Sequence, residues 1–211
     1  MTPQTINAYY DPTTNEICFP AGILQAPFFD PAADDAANYG AIGVVIGHEM
    51  THGFDDQGSQ FDKDGNLRNW WTPQDKANFK ARTQRMIRFF DGIEVLPGLH
   101  CNGALTCGEN IADHGGLKVA YQAFRNATSS RPLADFGGFT PDQRFFISYG
   151  QIWANNIRPE ALRNQVKTDP HAPARWRVNG ALPQIEAWYK AFGIKKGDKL
   201  FVPKNKRVDI W

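Results

Sequence analysis

The sequence predicts a mainly α-helical fold with a small β region near the N-terminus, on three observations. Apolar residues recur at helical spacing over most of the chain beyond residue 70, two Thr-Pro pairs mark helix starts, and a strand-like pattern falls within residues 5–20. The length of 211 residues suits one domain, 1–211, large enough to bury a real core. With 15 Phe, 6 Trp and 6 Tyr the composition is far from that of a disordered chain. A balance of 23 basic against 22 acidic side chains lacks the basic excess of a nucleic-acid binder. The longest apolar run, Ala41 to Gly47, falls far short of the ~20 residues that cross a bilayer.

Taken in order, Thr5-Ile6-Asn7-Ala8-Tyr9-Tyr10 reads as extended. Asp11-Pro12 turns the chain, and Ile17-Cys18-Phe19 returns to Pro20. A loop with Pro27 and Pro31 follows, then a helix over about 36–54 with a mostly apolar face. Asp62-Lys63-Asp64-Gly65-Asn66 is a turn. It is not a calcium-binding EF-hand loop, because its glycine stands fourth and no closing glutamate follows. Thr72-Pro73-Gln74-Asp75 and Thr140-Pro141-Asp142-Gln143 each offer a capping hydroxyl with proline at the first helical position, and Gln143 is placed to close a capping box. Behind these starts run Phe79, Met86, Phe89 and Phe90, then Phe145, Phe146, Tyr149, Ile152 and Trp153. A third stripe comprises Leu182, Ile185, Trp188, Tyr189 and Phe192. A further helix spans about 107–125, and the part from 140 to 211 reads as helical. Cys101 and Cys107 either pair across a short loop or stay reduced. No charged and apolar leader opens the sequence. The compartment stays open, with a secreted or periplasmic setting slightly favoured over a cytoplasmic one.

One pentapeptide carries the chemistry: His48-Glu49-Met50-Thr51-His52. On a helix, residues four apart share a face, so two imidazoles one turn apart can reach one Zn²⁺. Glu49 lies about 100° round from His48, beside the metal, where it can take a proton from water. The plain alternative is two surface histidines and a salt-bridging glutamate. A catalytic zinc needs a third protein ligand. Gly58 stands where a third histidine would follow in one common pattern, so the ligand must come from elsewhere. Gly108-Glu109-Asn110-Ile111-Ala112-Asp113 supplies it: Glu109 to bind metal, and Asp113, on the same face, to accept the other N–H of a ligand imidazole, His48 before His52. An acidic pair on a surface helix is the competing reading there.

These residues resemble the neprilysin-like (M13) zinc endopeptidases over essentially the whole chain. Asn7-Ala8-Tyr9-Tyr10, Phe19 to Gln25, Gly47 to Asp55, Gly108 to Asp113, Arg158-Pro159-Glu160, and Thr168 to His171 with Arg177 are similar to six family segments in the family's order. The resemblance implies a thermolysin-like (gluzincin) catalytic domain without the family's helical N-terminal lobe. It implies zinc on His48, His52 and Glu109 and peptide or unfolded-protein substrates. It further implies that His171 bonds the oxyanion, Arg177 holds a substrate carbonyl, and Asn7 and Ala8 clamp the peptide backbone. Phe28, Val45, Ile152 and Trp153 match an apolar pocket for the residue after the cleaved bond; by spacing alone Ile152 and Trp153 are core. Val208 stands where animal members carry a cysteine, which suggests a bacterial-type member. Without the covering lobe, the alternative is a zinc- and peptide-binding module with little turnover.

Overall fold

The computed structural model describes residues 1–210. Two three-residue strands, β1 (Tyr9–Asp11) and β2 (Glu16–Cys18), pair antiparallel with Tyr9 opposite Cys18 and Tyr10 opposite Ile17. Their turn is longer than Asp11-Pro12 alone suggests, because Asn15 takes a left-handed conformation at φ 54° before the return strand. Asn7 and Ala8 lead into β1.

The expected helix over 36–54 forms in three pieces. α1 (Asp35–Asn38) is capped by the Asp34 carboxylate, which accepts from the Ala37 N–H, a wide π turn spans Tyr39–Gly43, and α2 (Val44–His52) ends at Gly53. α3 (Pro73–Asp91) starts as expected, with the Thr72 hydroxyl accepting from the Asp75 N–H at 3.1 Å. A second hairpin, β3 (Glu94–Leu96) and β4 (Leu99–His100), was not expected; Pro97-Gly98, with Gly98 at φ 72°, is the turn signal for it. α4 (Cys107–Thr128) is the longest helix among the described residues. α5 (Pro141–Ile152) carries the reciprocal capping box between Thr140 and Gln143, at 3.2 and 3.0 Å. α6 (Pro159–Thr168), α7 (Ala174–Ala181) and α8 (Glu186–Phe192) follow.

The helical reading of 140–211 fails after α8. Gly193 takes φ 63° at the helix end and Gly197 φ 105°, and residues 193–210 run as an irregular strap with one 3₁₀ turn at Lys204–Lys206. The strap is tied down. Val208 and Ile210 are buried, the Ile210 carbonyl accepts from Arg82 at 2.8 Å, and Lys118 pairs with Asp209.

Two apolar clusters sandwich α4. Leu117, Ala120 and Phe124 pack with Phe145, Phe146 and Tyr149 of α5 and with Trp188 and Tyr189 of α8. Cys107 and Ile111 pack with Met86 and Phe90 of α3 and with Val208 and Ile210. Cys101 and Cys107 are free thiols in this second cluster, and burial pushes them up to about 11 and about 12. A third, smaller cluster of Ala8, Ile23 and Ile42, with Phe28 and Val45 against it, seats the N-terminal region on α2. No helix among the described residues is long and apolar enough to cross a membrane.

Candidate active site

α2 and α4 meet backbone to backbone. A Cβ on Gly116 would stand 2.7 Å from both the His48 nitrogen and the Val44 carbonyl, and one on Gly47 would stand 3.0 Å from Gly116. Glycine at both positions permits a helix approach that any larger residue would force apart. The approach turns Glu109 and Asp113 of α4 toward His48 and His52 of α2.

Three Lewis-basic side chains converge there. His48 Nε2 lies 3.0 Å from His52 Nε2 and 3.2 Å from Glu109 Oε2, and His52 Nε2 lies 3.6 Å from Glu109 Oε1. Donors held tetrahedrally at about 2.0–2.1 Å from one zinc ion stand about 3.3 Å apart, so these spacings fit the ion. Each imidazole commits its other nitrogen to a carboxylate: His48 Nδ1 to Asp113 Oδ1 at 2.9 Å, His52 Nδ1 to Asp55 Oδ2 at 2.7 Å. With the protons on Nδ1, both Nε2 lone pairs face the same point. Glu109 Oε2 is buried 3.2 Å from His48 Nε2 and 3.5 Å from Arg177 Nη2, and among the described residues neither contact is a well-aligned hydrogen bond. His48, His52 and Glu109 could therefore hold a metal ion.

The electrostatics favour a positive charge at that point. Burial pulls the His48 pKa down, but hydrogen bonds to Asp113 and Glu109 outweigh it and raise the group to about 9. Burial likewise opposes the Glu109 carboxylate, yet the hydrogen bond and charge of His48, with Arg177 and His52, hold it at about 2. Asp113 is fully buried as an anion. The Arg177 charge and hydrogen bonds from His48 and Arg177 overcome the burial and keep it well below the ordinary carboxylate range. Arg177 grips Asp113 as a fork, Nε to Oδ2 at 2.7 Å and Nη2 to Oδ1 at 2.6 Å, and lies 3.9 Å over the Trp153 ring. Its carbonyl accepts from the Tyr149 hydroxyl at 3.0 Å.

These groups line a cleft of about 440 Å³. Glu49 is on its wall, and no hydrogen bond to its carboxylate is made by the described residues. Burial raises Glu49 despite the nearby His48 and His52 charges. His171 reaches the cleft from the loop before α7. Its Nδ1 meets Asp169 Oδ1 at 2.7 Å and its Nε2 lies 3.3 Å from Glu109 Oε1. Asn7, Ala8, Phe28, Val45, Ile152, Trp153 and Arg177 line the same cleft, so the candidate metal, catalytic and substrate-binding residues are gathered around one cavity.

Asp55 was not singled out, though it is the anchor of His52. Its Oδ1 accepts from the Gln57 and Gly58 N–H groups at 2.8 and 2.7 Å, which fixes the carboxylate. Its signal is an aspartate three residues after a candidate ligand histidine, beyond the helix end. Asp169 was missed as well; its signal is an acidic side chain two residues before a loop histidine. The hold of Arg177 on Asp113 is a third feature that the sequence did not give.

The sequence model of Peptidase family M13 matches residues 7–208. Human endothelin-converting enzyme 1 is 45% identical over 217 residues; the match covers 100% of this chain and 27% of the relative. The zinc metalloprotease Zmp1 of Mycobacterium tuberculosis, solved in complex with an inhibitor, superposes with a TM-score of 0.97 at 47% identity. That match covers 100% of this chain and 33% of Zmp1. PepO from Lactobacillus rhamnosis HN001 superposes at 0.89 with 41% identity, over 99% of this chain and 32% of PepO. The chain thus spans about a third or less of these relatives. Its fold, and the converging histidines and glutamate, are accounted for together: the chain belongs to Peptidase family M13.

Proposed function

We propose that residues 1–211 form one catalytic domain of a zinc-dependent endopeptidase that cleaves peptides, with preference for a hydrophobic residue after the cleaved bond. His48, His52 and Glu109 would hold the ion. Bound there, zinc supplies Lewis acidity toward a peptide carbonyl and lowers the pKa of water toward about 7. Glu49 takes the proton of the attacking water and returns it to the leaving amine. A carboxylate raised by burial suits both transfers better than a solvated one. His171 gives its Nδ1–H to Asp169 and, when Nε2 is protonated, donates from Nε2 to the developing oxyanion. Arg177 spends Nε and Nη2 on Asp113, which leaves Nη1 for a substrate carbonyl. Asn7 and Ala8 hold the peptide backbone in extended form beside β1. Phe28, Val45, Ile152 and Trp153 receive the apolar side chain.

The observation that supports this reading is the convergence of the two Nε2 atoms and the Glu109 carboxylate beside Glu49. Hydrolysis of a short fluorogenic peptide, with and without chelator, tests it. Cleavage that stops with chelator and returns with zinc is expected; cleavage indifferent to chelator would refute it. A second reading follows from the relatives' length, since Zmp1 carries about two thirds of its chain outside the match. In that reading this part binds zinc and peptide, and efficient turnover needs the remainder. Zinc and peptide binding without hydrolysis of either casein or the short peptide would favour it.

A further inference from the structure

The hairpin that carries Asn7 and Ala8 is too small to fix its own position. Two strands of three residues make a ribbon that is marginal in water, yet a peptide held beside it must lie at a set height over α2. The fixing comes from outside the ribbon. Tyr10 reaches down to Gly53, the residue after His52, where an added Cβ would stand 3.2 Å from the phenol oxygen. The same phenol donates to Asn15 Oδ1 at 2.9 Å, and Asn15 Nδ2 donates to the Lys63 carbonyl at 3.1 Å. Beneath the hairpin turn, Gly65 at φ 78° comes so close that a Cβ there would overlap the Thr13 carbonyl. The receiving turn is itself braced, since Asp62 Oδ1 accepts the Asp64 and Asn66 N–H groups at 3.0 Å each. Asparagine suits position 15 twice over: it tolerates φ 54°, and one side chain offers both the acceptor for Tyr10 and the donor for Lys63.

We infer that the seat of the hairpin turn on residues 62–66, with Tyr10 on Gly53, is a clamp that sets Asn7 and Ala8 in register with the metal-binding helix, making Asn15 and Gly65 positioning residues for extended peptide substrates. The inference rests on the peptidase reading above. Backbone pairing along an edge strand contributes alike before and during the reaction, so loosening the clamp raises KM and spares kcat.

The test uses the zinc-loaded chain and a blocked octapeptide with leucine after the cleaved bond. Asn15→Asp keeps the acceptor for Tyr10 and loses the donor to Lys63; it should raise KM roughly 3- to 10-fold, with kcat within about twofold and zinc content unchanged. Gly65→Ala should raise KM by about tenfold or more; should it fail to fold, Asn15→Asp carries the test. Calorimetric titration of the same peptide into each variant in a Glu49→Gln background should give matching losses of affinity. Unchanged KM and affinity in folded, zinc-loaded variants would overturn the clamp, and so would a lowered melting temperature with KM intact. A wild-type chain that neither binds nor cleaves the peptide would instead overturn the peptidase reading beneath it.

Discussion

The metal end of the α2–α4 pair and the N-terminal hairpin face each other across one cleft, and they are built in opposite ways. At the helix pair, buried backbone meets buried backbone through Gly47 and Gly116, and His48 and His52 are each held by their own aspartate. At the hairpin, Tyr9 and Ile17 are exposed, the strands are three residues long, and position depends on Tyr10, Asn15 and Gly65. Groups that must meet an ion need placement within a few tenths of an ångström, which packed helices supply. A strand that receives varied peptides needs only a register and an open edge. Changes at the helix pair should therefore act on metal and chemistry, and changes at the hairpin on substrate affinity.

The largest expected effect tests the chemical side of that contrast. Glu49→Gln should lower kcat for peptide hydrolysis by about 10²- to 10⁴-fold while zinc content stays at that of the wild type. Hydrolysis at the wild-type rate would remove Glu49 from its role. Next comes the outer support of the metal end. Asp55→Asn frees His52 Nδ1 from its anion and should weaken zinc binding about 10- to 100-fold in competition with a chromophoric chelator, leaving peptide KM in the zinc-saturated enzyme near wild type. A KM effect as large as the loss of zinc affinity would erase the division between the two regions.

How much of this was legible in the sequence depends on how far apart the partners lie along the chain. His48 with His52, and Glu109 with Asp113, sit at helical spacing, so their faces could be read directly. Asp55 is close in sequence but lies beyond the end of α2 at Gly53, where helical spacing no longer says where a side chain points. The grip of Arg177 on Asp113 spans 64 residues, and the seat of Asn15 on Lys63 spans 48. Contacts of that kind follow from packing and leave no local pattern. The strap after Gly193 escaped for a related reason: its apolar residues are held by α3 and α4 and have no period of their own.

A smaller effect separates two buried histidines of the helix pair. His48 has carboxylate partners, whereas His114 of α4 is buried with no partner for Nδ1 among the described residues, and burial with the nearby Lys118 charge lowers it to about 4. A folded-state pKa below the unfolded value of about 6.5 gives stability that is present above pH ~6.5 and lost as pH falls toward ~4. Urea midpoints of the wild type should drop over that window more steeply than those of His114→Gln; equal slopes would show that His114 does not titrate on unfolding. The smallest effect lies far from the cleft. Thr140→Ala removes the capping box of α5 and should cost about 1 kcal/mol in urea unfolding without changing zinc content or KM.

Zinc per chain after exhaustive dialysis, measured for the wild type and for Glu109→Ala, bears most directly on the three-ligand centre. Expected is about one ion retained by the wild type and a loss to well below that by the variant. One ion firmly kept in the absence of the Glu109 carboxylate would contradict it.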